Sequence, residues 1–252
     1  MNFLFYAMII LLIVMTINNA RRLKSFGNEK GFVEVYGKVL DKSENAKEEL
    51  DKYISENKVA HLNAKALIVR IYNSLMIDED YSEDVASLNF CDLFMVNKQF
   101  NKDLFILNCD IFIWLSLIYT LAYQKDKKDL VKALDEKVRE YHDVLNNYVE
   151  YHLYLGYMQA LDNQKEGDYT FLKDLINGEY SSYLYEKRLI GLYKREASLF
   201  LCLNDDLDDE FWKQDLKHFY ETKIGKHLIE NLTIEEKVKN IEGPKAVSAD
   251  GE

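Results

Sequence analysis

The chain has 252 residues, of which 48% are hydrophobic and 30% are charged. These fractions are those of a globular protein with a solvated surface, and the length allows one large domain or two small ones. The formal net charge of -11 repels nucleic-acid phosphates, so we expect no nucleic-acid partner. The cysteines Cys91, Cys109 and Cys202 are few, odd in number and widely spaced, which indicates a reducing compartment and no disulfide framework.

The N-terminal segment predicts a transmembrane anchor at residues 1–20. The run from 3 to 17 contains a single polar residue, and the first charged side chains are Arg21, Arg22 and Lys24. The uncharged stretch is long enough to cross the hydrocarbon core of a bilayer if its asparagines lie at the interfaces. Basic residues directly after an apolar segment tend to stay in the cytoplasm. We therefore predict that these three residues flank the membrane and that the C-terminal domain is cytoplasmic.

Two other interpretations of this segment stay open. Cleavage after Ala20 would release a secreted or surface-displayed domain, although no basic residue precedes the apolar run and Asn18 stands where a small residue is preferred. Alternatively, the segment is a buried helix of the fold, which would need protein on all its faces.

The remainder of the chain predicts an all-α domain over residues 32–240, after a basic juxtamembrane linker at 21–31. The only proline, Pro244, lies in a polar tail at 241–252 that we expect to be disordered. Helical periodicity is almost continuous through the domain. The predicted helical segments are 32–40, 43–57, 59–77, 80–97, 102–124, 127–161, 169–179, 180–203, 208–223 and 224–240.

The most apolar part of the domain, residues 111–123, raises the question of a second membrane span. It is too short to cross a bilayer easily, and Asp110 and Lys125 lie close to its ends. We therefore predict that it forms the central helix of the domain, with Trp114 and Tyr119 in contact with both neighbouring helices.

Taken in pairs, the predicted helices restart near residues 44, 82, 128, 168 and 208, a period of about forty residues that is typical of helical repeat arrays. One boundary between paired helices is marked by the small and apolar residues Ala64, Leu67, Ile71, Tyr72 and Ala86. In this layout the chain resembles the tetratricopeptide-like helical repeat family. The resemblance implies antiparallel hairpins stacked as an α-solenoid, and it implies no binding residues. The alternative is an irregular helical bundle.

The sequence contains no recognisable catalytic pattern. No two histidines lie four residues apart, the cysteines form no CxxC motif, and the glycines form no phosphate-binding loop. The acidic run at 204–210 lacks the glycine and the ligand spacing of a calcium loop, so we expect its aspartates to cap the following helix. We predict a non-catalytic protein without a cofactor or metal ion. A helical enzyme without a motif is the alternative, and it would need a groove in which histidine and carboxylates converge.

Aromatic residues are the most suggestive feature, since the whole chain has 18 tyrosines and 13 phenylalanines. A tyrosine ring can bury a large area while its hydroxyl stays in water, which suits the recognition of a protein or peptide. We predict partner-binding roles for Tyr151, Tyr154, Tyr183 and Tyr185. The alternative is that these rings fill the spaces between helices. The sequence thus favours a membrane-anchored scaffold or adaptor that holds a protein or peptide partner.

Overall fold

A computed structural model describes residues 29–162, 169–185, 187, 190–222, 225–226, 229–230 and 232–241. The predicted anchor at 1–20, the flanking residues Arg21, Arg22 and Lys24, and the tail from 242 onward lie outside these residues. Apart from one short hairpin, the described elements are helices, so the all-α prediction is confirmed.

The first helix, α1, covers residues 29–40 and therefore begins inside the predicted linker. The helices that follow are α2 (Ala46–Glu56), α3 (Ala60–Met76), α4 (Ser82–Ser87), α5 (Cys91–Phe94), α6 (Lys102–Asn108), α7 (Ile111–Gln124), α8 (Lys128–Arg139), α9 (His142–Leu145), α10 (Val149–Asp162), α11 (Thr170–Asn177), α12 (Ile190–Leu203), α13 (Glu210–Tyr220) and α14 (Glu235–Lys239). Between α5 and α6, strands β1 (Met95–Val96) and β2 (Gln99–Phe100) form an antiparallel hairpin.

Six helix ends in the described part of the chain share one left-handed turn. In each, the residue after the turn donates its backbone N–H to the carbonyl oxygen five positions earlier, at 2.7 to 3.2 Å. The residues with positive φ are Lys42, Asp78, Asp126, Gly178, Asp205 and Thr233. Only one of them is glycine, and aspartate, which tolerates this conformation better than most residues, supplies three. Five of these six helix ends therefore stop without the usual glycine signal.

Helices begin close to the predicted restarts, at Ala46, Ser82, Lys128, Thr170 and Glu210. Several long predicted helices are nevertheless interrupted. The segment 80–97 divides into α4, α5 and strand β1, and 224–240 is broken by a turn at 232–233 before α14. The segment 102–124 divides into α6 and α7, whose axes meet at 46°. The segment 127–161 divides into α8, α9 and α10, and 180–203 becomes helical only at α12.

The helix α7 lies at the centre of the fold, as predicted. It makes its most extensive contacts with α3 and α10. The Trp114 ring packs edge-on against Tyr36 of α1 at 5.0 Å and against Tyr72 of α3 at 5.3 Å, and the Tyr119 ring lies 5.6 Å from Tyr154 of α10. Among the described helices, none is by itself long and apolar enough to cross a bilayer, and only α6 and α7 together, as a bent pair, meet those criteria of length and composition.

Candidate functional site

Two of the predicted partner-binding residues, Tyr151 and Tyr154, lie in the core. Both belong to α10 and both are 0% exposed. The Tyr154 hydroxyl donates to the carboxylate of Asp135 and lies 3.4 Å from the hydroxyl of Tyr119, while the Tyr151 hydroxyl lies 2.9 Å from Nδ1 of His142. Burial raises the pKa of both phenols. The structure corrects the prediction for these two rings, because they join α10 to its neighbours and leave no surface for a partner.

The other two predicted residues, Tyr183 and Tyr185, flank Leu184 in a turn at residues 180–185 that we call the aromatic turn. Both tyrosines are half-buried, whereas the Leu184 side chain is 50% exposed. Leu184 forms a parallel bridge opposite Tyr148, with two backbone hydrogen bonds of 2.8 Å to the chain around that residue. The backbone of the aromatic turn is thereby fixed against the start of α10.

The rings of the aromatic turn are packed on one another and on neighbouring helices. The Tyr183 ring lies 4.4 Å from the His152 ring and meets Phe171 edge-on at 6.0 Å. The Tyr185 ring meets Tyr180 edge-on at 5.1 Å. The turn therefore presents an exposed leucine between two tyrosines whose rings are held in place by aromatic contacts.

A groove of about 580 Å³, which we call the apolar groove, lies between α1, α3, α6, α7, α12 and α13. Its volume is that of a typical ligand-binding cleft. Its floor contains three large apolar side chains that are each 7% exposed: Phe32, Trp114 and Leu117. Its rim carries three strongly exposed apolar side chains: Val33 (61%), Leu107 (47%) and Leu192 (40%).

Four charged side chains at the apolar groove neutralise one another in pairs. On α3, Lys65 donates from Nζ to Oδ1 of Asp110 at 2.7 Å. On α12, Arg195 donates to both carboxylate oxygens of Asp215, at 2.7 and 2.9 Å. Paired in this way, these four groups add no net charge, and the carboxylate of Glu29 is a further charged group of the lining. Because the floor and most of the rim are apolar, the groove suits an uncharged apolar chain.

A neutral histidine also lines the apolar groove. The amide nitrogen of Asn108 donates to two backbone carbonyls, so its Oδ1 accepts from Nδ1 of His61 at 3.2 Å. Burial is the main cause that lowers the pKa of His61, so the imidazole is uncharged at pH 7 and its Nε2 is a hydrogen-bond acceptor. Burial, followed by the charge of Asp110, raises the pKa of Tyr36 to about 12.

His61 and Asp110 line the same groove, so the groove brings together a histidine and a carboxylate, as a helical enzyme would need. The Asp110 carboxylate is bound by Lys65, however, and Nδ1 of the imidazole bonds to the amide of Asn108, so each of the two groups is bonded to another partner. In the part of the chain that the structure describes, no group of three or more His, Cys, Asp and Glu side chains could hold a metal ion.

Comparison of the chain with protein-family models, with curated proteins and with solved structures finds no match in any of the three. The function is accordingly argued from the aromatic turn and the apolar groove.

Proposed function

We propose that the protein is a membrane-anchored, non-catalytic interaction domain that faces the cytoplasm and holds a protein or peptide partner at the aromatic turn. The supporting observation is the half-exposed Leu184 between Tyr183 and Tyr185, on a backbone fixed by two hydrogen bonds. Aromatic clusters dominate the energy of many interfaces, and a surface that is already ordered loses little conformational entropy on binding.

Support for the anchor comes from the amino-acid sequence. Residues 1–20 are uncharged, and Arg21, Arg22 and Lys24 follow directly, which is the charge distribution of a segment whose C-terminal side stays in the cytoplasm. In this arrangement the acidic domain is tethered beside the inner leaflet, and its partner is held there with it.

For the helices, we favour the irregular bundle over the tetratricopeptide-like stack. In a stack, each repeat contacts only the repeats next to it in the chain. The contacts of α7 with α3, α8 and α10, and of α12 with α10, α11 and α13, join neighbouring hairpins and fit either arrangement. Contacts that skip a hairpin favour the bundle: Gln124 of α7 donates from Nε2 to the carbonyl oxygen of Leu232 at 3.0 Å. The Tyr193 hydroxyl of α12 also reaches Sγ of Cys109 beside α7, at 3.2 Å. This wrapping of a central helix is typical of a bundle.

Site-specific photo-crosslinking tests the partner surface. A photoreactive amino acid is placed at Leu184 in the full-length chain and irradiated in intact cells, and Ile77 serves as the matched control because it is 49% exposed against 50% for Leu184. We expect an adduct of defined mass at Leu184 alone, and we expect it to be lost when Tyr183 and Tyr185 are both changed to alanine. Equal adducts at both positions, or none at Leu184, would remove the support for this surface.

N-terminal sequencing separates the anchor from the secreted alternative. A retained segment leaves the chain starting at Met1 or Asn2, whereas signal-peptide cleavage leaves it starting at Arg21.

A further inference from the structure

The apolar groove opens close to the proposed membrane anchor. Glu29 and Val33 of α1 line the groove, and Glu29 follows the membrane-flanking Lys24 by five residues. Five residues span at most about 18 Å even when fully extended. If residues 1–20 lie in the bilayer and Lys24 lies at the head groups, the α1 edge of the groove is therefore within this distance of the inner-leaflet head groups.

The chemistry of the groove matches the acyl region of a bilayer. Three exposed apolar side chains from different helices, Val33, Leu107 and Leu192, surround one opening, and exposed patches of this kind mark interaction sites. The Lys65–Asp110 and Arg195–Asp215 pairs add no net charge. The lining also includes the carboxylate of Glu29, which disfavours an anionic head group inside the groove, while the apolar floor and rim favour an uncharged apolar chain.

We propose that the apolar groove faces the membrane and accommodates an acyl chain of an inner-leaflet lipid, with its rim at the head-group boundary. This inference rests on the proposed function, because the anchor brings the groove to the bilayer. It gives the domain a second membrane contact in addition to the anchor. That contact needs no basic patch, so it is compatible with the formal net charge of -11.

The two tryptophans of the chain permit a direct test. Trp114 lines the groove and Trp212 of α13 does not, although their exposures of 7% and 9% are nearly equal. Full-length Trp212→Phe and Trp114→Phe are each reconstituted in phosphatidylcholine vesicles with brominated or unbrominated acyl chains. We expect bromine to quench Trp114 roughly twofold more than Trp212, because an apolar face at the interface enters the acyl boundary.

Rim variants in the Trp212→Phe background show whether the groove itself causes the quenching. Val33→Asp and Leu192→Asp put a charge at positions that are 61% and 40% exposed, so neither disturbs the core. We expect each to lower the quenching of Trp114 at least to the level of Trp212. Ile77→Asp, at a position of 49% exposure that does not line the groove, should leave the quenching unchanged.

The outcomes separate this inference from the proposed function. If the chain sediments with the vesicles but Trp114 is not quenched, the anchor is retained and the inference is overturned. The groove is then covered by protein, either a partner or a second copy. Equal quenching of both tryptophans also overturns it. A chain that does not sediment with the vesicles overturns the anchor and the inference together.

Discussion

The Tyr193 hydroxyl donates a hydrogen bond to Sγ of Cys109 across 3.2 Å and so connects α12 to the bend between α6 and α7. Both side chains are 0% exposed. Burial raises the pKa of the Cys109 thiol to about 12, so at neutral pH the thiol stays protonated. This contact is a structural link in the core and leaves Cys109 without a reactive thiolate.

The three thiols should therefore differ in reactivity. We expect iodoacetamide to alkylate the half-buried Cys91 in the folded protein, and to reach Cys109 and the buried Cys202 only after unfolding in guanidinium. Peptide mapping by mass spectrometry before and after unfolding measures this. Alkylation of Cys109 in the folded protein as fast as that of Cys91 would contradict the assignment.

The carboxyl group of Glu196 should make stability depend on pH. Burial raises its pKa well above the ordinary 4.5, against a smaller opposing effect of a hydrogen bond with Ser116. Above pH 4.5 the unfolded chain loses this proton while the folded chain keeps it. The protonated carboxyl therefore contributes its full share to the free energy of unfolding below the pKa that Glu196 has in the unfolded chain. As the pH rises from there toward the pKa in the folded chain, the free energy of unfolding falls by about 1.4 kcal/mol per pH unit.

Glu196→Gln keeps the shape of the side chain and removes the titration. In urea denaturation between about pH 5 and pH 7, we expect the variant to become more stable than the parent by an amount that grows with pH. Glu48→Gln, at an exposed position of α2, is the control and should follow the parent. If the difference in free energy of unfolding between Glu196→Gln and the parent is the same at every pH, this carboxyl does not titrate as argued.

Two ion pairs of different burial should differ in their contribution to stability. Arg70 donates from Nε to Asp84 at 2.9 Å, and the Asp84 side chain is 9% exposed. Asp84→Ala removes the more buried partner of the guanidinium and leaves it paired with Asp51, so we expect a loss of about 1.5–3 kcal/mol. Glu34→Ala removes a Lys30 pair that is 65–70% exposed and should cost no more than about 0.5 kcal/mol. Urea titration measures both, and similar losses would contradict the argument from burial.

Glycine-to-alanine changes at two positions should have opposite signs. Gly178 ends α11 with φ of 90°, a conformation that alanine adopts with strain, so Gly178→Ala should cost about 1 kcal/mol. Gly37 lies within α1, and a Cβ there would meet no atom within 4 Å. Gly37→Ala should therefore stabilise by about 0.5–1 kcal/mol. Melting temperatures that shift in the same direction would show that the backbone argument fails at one of the sites.

Local sequence properties were sufficient to predict the fold class and several details. The scarcity of proline and the helical periodicity predict an all-α domain, and the uniformly apolar run at 111–123 predicts the central helix α7 with Trp114 and Tyr119 in the core. The acidic run before α13 predicts its cap, and Oδ1 of Asp209 accepts from the Trp212 N–H at 3.0 Å. These features depend on neighbours within a few residues.

The positions at which the predicted helices are interrupted depend on weaker sequence signals. The hairpin β1–β2 turns at Asn97 and Lys98, both with positive φ, where the usual second residue is glycine. Without that glycine, the helix predicted at 80–97 extends over β1 and as far as Asn97. The first part of 180–203 pairs with the chain around Tyr148. This contact between segments far apart in sequence competes successfully with the local preference for helix.

The candidate sites were the least predictable features. Periodicity places Tyr151 and Tyr154 on one side of α10, but it does not tell whether that side faces solvent or α7. The apolar groove collects residues from Glu29 to Phe219, on six helices. No local motif marks such a set, because its members are ordinary apolar, polar and charged residues that lie far apart in the sequence.

The central claim is that an anchor at residues 1–20 holds the domain on the cytoplasmic side of a membrane. Carbonate extraction of membranes, followed by protease treatment of intact and permeabilised cells, measures attachment and orientation together. We predict that the full-length chain stays in the carbonate-washed pellet and that its domain is digested only after permeabilisation. Release into the carbonate supernatant, or digestion of the domain on intact cells, would contradict the account.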